Sequence, residues 1–280
     1  MRTKLALLIF IILLSFTTSG CSVNPGNKPT GFAYIMQEAN ELQKANKLQK
    51  ANELQEAGGL QGDDITKNGF PEPDPKTNPG QAGPEKTGTV YLTFDDGPDN
   101  AVTPLVLNIL ETYGIKATFF VIGTSIEENP EVFRDIVRRG HSIGNHTYSH
   151  RYKEIFSDEN GFMKSIRANE EVIFRISGLR PRIVRNPGGK NGNSDALERI
   201  LAENGYRMVY WNVDSYDSRK PFPDGRQIAE SVINQAGQKH LWPGMVILMH
   251  DSRGHAATAE ALPPIIDYLI KQGFEFDVLR

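Results

Sequence analysis

From residue 89 onward, short apolar runs alternate with amphipathic stretches. The apolar runs are Val90–Phe94, Ala117–Ile122, His141–Gly144, Arg182–Arg185, Met208–Val213, Val246–Met249 and Phe274–Leu279. Their length and apolar content predict strands. Helical stretches lie between most of them, at Thr103–Tyr113, Glu131–Arg139, Asp195–Glu203, Gln227–Gln238 and Thr258–Lys271. The first ends at Gly114, a good C-cap. The second follows Pro130 and ends at Gly140. The third follows Ser194, an N-cap candidate. Strand–helix alternation with near-continuous apolar strands predicts a parallel α/β sheet. About seven such units in ~190 residues suit a closed or nearly closed barrel. A doubly wound open sheet is the alternative.

The first 87 residues have a different texture. Arg2 and Lys4 precede an apolar run from Leu5 to Phe16, followed by Thr17-Thr18-Ser19-Gly20-Cys21. A positive start, a short apolar core and small residues lay out a signal peptide over residues 1–20. The run is short for a membrane span. Ser-Gly-Cys resembles a bacterial lipobox, with Thr18 where leucine is usual. It implies lipidation of Cys21, the only cysteine in the chain. No disulfide can form from one cysteine. Between residues 42 and 57 the sequence repeats every six residues, a period that drifts around a helix and places Leu42, Leu48 and Leu54 on no common face. Residues 58–88 are then rich in Gly and Pro, with Pro71, Pro73, Pro75, Pro79 and Pro84. Such a composition builds an extended spacer and no core. The expected organisation is a signal peptide (1–20), a lipid-anchored tether (21–87) and one catalytic domain (88–280). The net charge of −3 gives no global basic surface for nucleic acid.

In either architecture the carboxyl ends of the strands carry the chemistry. The first strand is followed by Asp95 and Asp96, the third by His146 and His150, and the fourth by Arg185. Asp214 and Asp217 follow the fifth, and His250 and Asp251 the sixth. Polar groups from distant parts of the chain thus converge on one rim. Two histidines four residues apart share a face of a helical turn. With one carboxylate they make a divalent-cation site that keeps positions open for water. A cation on Asp96 also relieves the repulsion between the paired aspartates and leaves Asp95 to act as a base.

Five ordered motifs then carry a resemblance: TFDDGP (93–98), HTYSH (146–150), RNPGG (185–189), DSYD (214–217) and LMH (248–250). Together they resemble the polysaccharide deacetylases, carbohydrate esterase family four, also called the NodB-homology domain. KATFFVIG (116–123) and HSIGNH (141–146) fit the same pattern. The resemblance covers roughly residues 88–275. It implies a distorted (β/α) barrel and metal-dependent removal of acetyl groups from an N-acetylated sugar.

Residue by residue, Asp95 resembles the general base, and Asp96, His146 and His150 the metal triad. Arg185 resembles the arginine paired with the base. Asp214 resembles the carboxylate that orients the acid, and His250 the acid itself. The backbone N–H of Gly188 takes the oxyanion place. Asp217 is left open, as a lining residue or a turn cap. His141, His240 and His255 lie off the motifs and are expected to be structural or exposed. Two positions depart from the family pattern: Gly188 stands where a bulky aromatic is frequent, and Ser218 where tryptophan is frequent. Trp211 or Tyr216 could replace that wall.

The expected function is deacetylation of a cell-wall glycan, peptidoglycan first, by an extracytoplasmic lipoprotein at the membrane. Deacetylation of chitin oligomers, exopolysaccharide or xylan is the alternative. So is a non-catalytic glycan-binding lipoprotein. A small cyclic amide is a more distant substrate class. Zinc is the expected cation, with cobalt, nickel or manganese fitting the same donors. A monomer is the default expectation.

Overall fold

The computed structural model describes residues 87–156, 159–190 and 194–280. The expected signal peptide, Cys21 and the tether before Thr87 lie outside the described residues. Among the described residues no helix is long and apolar enough to cross a membrane.

Eight short strands form one sheet: β1 (Gly88–Asp95), β2 (Thr118–Val121), β3 (Ser142–Asn145), β4 (Ile183–Val184), β5 (Arg207–Met208), β6 (Val213–Asp214), β7 (Met245–His250) and β8 (Phe274–Phe276). Their order is β5-β4-β3-β2-β1-β7-β6, with β8 pairing on β1. Each of these pairings is parallel. The helices are α1 (Thr103–Tyr113), α2 (Gly123–Glu128), α3 (Pro130–Arg138), α4 (Tyr152–Ile155), α5 (Glu159–Ser177), α6 (Ser194–Glu203), α7 (Gly225–Ala236) and α8 (Ala256–Lys271).

The single strand expected over Met208–Val213 is in fact two strands, at opposite ends of the sheet order. That split forces the curl. The chain from Met208 to Val213 reaches about 17 Å at most. Flat, the two edges would lie about 29 Å apart, at about 4.8 Å per strand. The sheet must therefore bend until its edges approach, giving a curled half-barrel. The open doubly wound alternative does not fit this connection.

The two faces of β1 show the resulting layering. Val90, Leu92 and Phe94 belong to the main core, with Val106 and Leu110 of α1 and Leu262 and Ile266 of α8. Tyr91 packs instead with Phe120, Ile183, Val209 and Val246. Alternate residues point to opposite faces of a strand. Tyr91, Thr93 and Asp95 therefore line the concave side. The interior is apolar at its floor and polar at its carboxyl rim.

Both ends of the described chain lie at the floor. Gly88 opens β1 and pairs with Phe274 of β8. At the other end, Leu279 N donates to Thr118 Oγ1 at 2.9 Å, its carbonyl accepts from Ser142 Oγ, and the Arg280 carbonyl accepts from Arg207. Those partners are the first residues of β2, β3 and β5.

Helix α5, absent from the sequence expectation, braces β3, the strand that leads into the HTYSH motif. Asn169 Nδ2 donates to Val121 O at 2.8 Å and to Asn145 Oδ1 at 3.0 Å. Asn145 Nδ2 donates back to Ile166 O at 2.8 Å, and its Oδ1 accepts from Thr147 N at 2.9 Å. These bonds fix the loop that carries His146 and His150.

Candidate active site

The rim collects the last residues of several strands. Asp95 ends β1 and His250 ends β7, and they are direct partners in the register. Beyond β1 the chain turns sharply. Asp96 sits at φ 73°, and His150 of the β3 loop sits at φ 54°. Left-handed backbone is uncommon at non-glycine residues and concentrates at functional sites. Gly97 follows because there is no room for a side chain: a Cβ there would lie 2.4 Å from the Asp251 carboxylate.

Asp96, His146 and His150 face one another. Asp96 Oδ1 lies 3.3 Å from His146 Nε2 and 3.4 Å from His150 Nε2. His146 Nδ1 lies 2.8 Å from the carbonyl oxygen of Arg185, a pure acceptor. Nδ1 therefore carries a proton, and in the neutral ring Nε2 is left free to ligate a cation. Asp96 Oδ1 is buried and receives no hydrogen bond among the described residues. A buried carboxylate oxygen without a partner is costly, and a cation between it and the two imidazole nitrogens would satisfy it. The three ligand atoms lie within 4.8 Å of one another. This group can hold a divalent cation.

Asp95 and Arg185 form the second unit. Both are buried, Arg185 at 0% exposure. Arg185 Nη1 donates to Asp95 Oδ1 at 2.8 Å and to Thr93 Oγ1 at 2.7 Å. Its Nε donates to Val209 O at 3.3 Å and its Nη2 to Tyr210 O at 3.4 Å. Those carbonyls lie in the segment that crosses between the sheet edges, so the guanidinium also ties the curl together. Phe120 stacks beneath it, 4.1 Å from the guanidinium carbon. Burial pushes the guanidinium pKa down against the pull of Asp95. The other oxygen, Asp95 Oδ2, lies 3.8 Å from His146 Nε2, toward the cation group.

The acid side departs from the sequence expectation. His250 Nδ1 is 2.7 Å from Asp217 Oδ1, and the His250 backbone N–H donates to Asp217 Oδ2 at 2.7 Å. Thr258 Oγ1 adds a third bond to Asp217 at 2.8 Å. The carboxylate that orients His250 is Asp217, not Asp214. Tyr216 explains the exchange. At φ 57° it reverses the chain, and its N–H donates to Asp214 Oδ1 at 2.8 Å. Asp214 thus becomes the turn cap, and Asp217 is delivered to the rim. Burial pushes the Asp214 carboxyl pKa up.

Burial alone would lower the His250 pKa. The Asp217 bond and charge outweigh it, with Asp95 and Asp96 behind them, and raise it to about 9. A cation beside Asp96 offsets that residue's share, but the Asp217 share remains. His250 is protonated below this value and can donate a proton. Asp217→Asn is expected to lower the His250 pKa, so the alkaline limb of the rate profile moves to lower pH. The rate itself should fall about 10–10²-fold. Asp214→Asn is expected to leave the limb in place. Rate–pH profiles of the two variants decide; a limb that moves only in Asp214→Asn would return the role to Asp214.

Other residues also take clear places. Gly188 is exposed in the loop after β4, at φ 78°. Trp211 packs on Gly189, and Arg219 lies 4.6 Å over the Tyr216 ring. His141 is buried, its Nδ1 accepting from Ala117 N at 3.1 Å, and burial with Lys116 and Arg139 lowers its pKa to about 4. It is a structural histidine. His255 is not remote: its ring stacks on His250 with centroids 5.1 Å apart. Asp251 is fully buried under Gly97 and accepts from Thr103 Oγ1 at 2.6 Å. Burial, with Asp96 and Asp95 nearby, raises its pKa to about 7. No sequence signal marked His255 or the burial of Asp251.

A buried carboxylate beside a group able to hold a cation, with a carboxylate-bound histidine on the same rim, is an arrangement suited to hydrolysis. Residues 82–209 match the sequence profile of the polysaccharide deacetylase domain. A peptidoglycan-N-acetylglucosamine deacetylase of Bacillus cereus is 35% identical over 204 residues, covering 71% of this chain and 69% of that one. The peptidoglycan-N-acetylmuramic acid deacetylase PdaC of Bacillus subtilis is 34% identical over 186 residues, covering 66% of this chain and 37% of that one. The crystal structure of a polysaccharide deacetylase from Bacillus cereus superposes with a TM-score of 0.62 at 32% identity, covering 69% of this chain and 92% of that one. The chain belongs to the polysaccharide deacetylase family.

Proposed function

We propose that this protein is a zinc-dependent peptidoglycan deacetylase acting outside the cytoplasm, held at the membrane by a lipid on Cys21. The observation that carries the reading is the opposed pair on adjacent strands. Asp95 stands beside the cation group, and His250, partnered with Asp95 in the register, holds a proton against Asp217. Two relatives named for peptidoglycan substrates support the substrate class. The anchor rests on the lipobox-like sequence alone.

Asp96, His146 and His150 would hold the cation; two imidazoles and a carboxylate suit zinc. When bound, it polarises the acetyl carbonyl and acidifies water. Asp95 keeps one oxygen tied to Arg185 and offers the other to the attacking water, whose proton it takes. The Gly188 N–H receives the charge that develops on the carbonyl oxygen. His250 then gives its proton to the sugar nitrogen as the C–N bond breaks. Acetate and a free amine leave.

The test is acetate release from N-acetylated peptidoglycan by the protein in membranes, beside chitin oligomers. Release should fall at least about 10²-fold on chelation and return with zinc. Cys21→Ala should move the activity to the soluble fraction. Acetate from chitin oligomers alone would replace the substrate, and acetate from neither would overturn the activity.

A further inference from the structure

The rim also carries unused apolar surface. Six large hydrophobic side chains are exposed among the described residues: Tyr152, Phe174, Leu179, Tyr216, Phe222 and Ile270. Three of them, all aromatic, stand at the active-site rim. Tyr216 is covered by Arg219. Tyr152 and Phe222 are more exposed, at 51% and 56%, although Phe156 packs on Tyr152 with centroids 5.7 Å apart and Lys220 Nζ lies 5.9 Å over the Phe222 ring.

These two stand on opposite sides of the chemistry. Tyr152 meets the ring of His150 at 82°, centroids 5.6 Å apart, on the cation side. Phe222 meets the ring of His255 at 80°, centroids 5.7 Å apart, and His255 stacks on His250 on the acid side. Tyr152 also explains Gly188: a Cβ on that glycine would lie 2.8 Å from the Tyr152 hydroxyl. The ring already occupies the space that a side chain at 188 would need. Phe222 comes four residues after Ser218 in the chain.

We propose that Tyr152 and Phe222 are the two stacking walls of the glycan groove, and that they set the preference for a polymeric sugar substrate. The chemistry fits. One face of a pyranose ring presents a row of C–H groups, and an exposed aromatic plane beside a hydrolytic centre is complementary to it. The acetamido group then reaches the centre from between the walls. This inference rests on the deacetylase reading.

The experiment measures kcat and KM for acetate release from soluble peptidoglycan fragments, with cosedimentation on insoluble peptidoglycan. Tyr152→Ala and Phe222→Ala should each raise KM about tenfold and leave kcat nearly unchanged. The double variant should raise KM about a hundredfold, as independent sites do. Tyr152→Phe and Phe222→Tyr keep the planes and should keep the wild-type KM. Cation content and melting temperature should not change. The inference is overturned if neither alanine variant moves KM, or if Tyr152→Phe loses as much as Tyr152→Ala, which would assign the role to the hydroxyl. Loss of cation in Tyr152→Ala would also overturn it, by making Tyr152 a support for His150. A wild-type protein that releases no acetate would sink the activity, and cosedimentation would still decide the groove. Retention lost in the alanine variants supports the walls, and no wild-type retention refutes them.

Discussion

Asp95→Asn is expected to bind its cation normally and to deacetylate at least ~10²-fold more slowly, the lower end of general-base effects. The substitution is nearly isosteric, and the new amide oxygen can still accept from Arg185. The ligand atoms of Asp96, His146 and His150 are untouched. What disappears is the carboxylate oxygen directed at the cation group, 3.8 Å from His146 Nε2. An amide there takes no proton from water. Steady-state kinetics beside a cation titration and a melting curve separate the possibilities. A wild-type rate in a folded, cation-bound variant would remove Asp95 from the role of base.

The second large effect falls on stability. Arg185→Met should cost about 3–5 kcal/mol, because it leaves the Asp95 carboxylate buried without its partner. For a domain of this size that corresponds to a melting temperature lower by roughly 6–20 °C. The loss reaches beyond the ion pair, since Arg185 also binds Thr93, Val209 and Tyr210. Arg185→Lys should recover only part of it. An ammonium cannot present the planar fork that makes these four contacts at once. A melting temperature within about 1 °C of wild type in Arg185→Met would contradict this account.

Much of the rim is legible in the order of residues alone. Asp95, Asp96, His146, His150, Arg185 and His250 stand at or just beyond the ends of apolar runs, and a parallel sheet must bring such positions to one edge. The choice between Asp214 and Asp217 is not legible in that way. Both are aspartates on one turn, and the choice depends on Tyr216 adopting a left-handed backbone, which its identity does not announce. The break in Met208–Val213 is hidden for a related reason. Val209 and Tyr210 look like strand, but Arg185 takes their carbonyls. Helix α5 escapes because its buried stripe, which includes Phe162, Ile166 and Ile173, is interrupted by Asn169 and Glu170, both buried. A polar residue that braces a loop from inside a helix reads, in sequence, as a gap in the pattern.

The place where the described residues begin and end has a practical meaning. Thr87 and Arg280 both leave from the floor of the half-barrel, and the reactive groups open on the opposite side. A support attached at either end therefore leaves the rim unobstructed. A domain held by either of these points can work against an insoluble sheet of polymer, with its mouth toward the sheet.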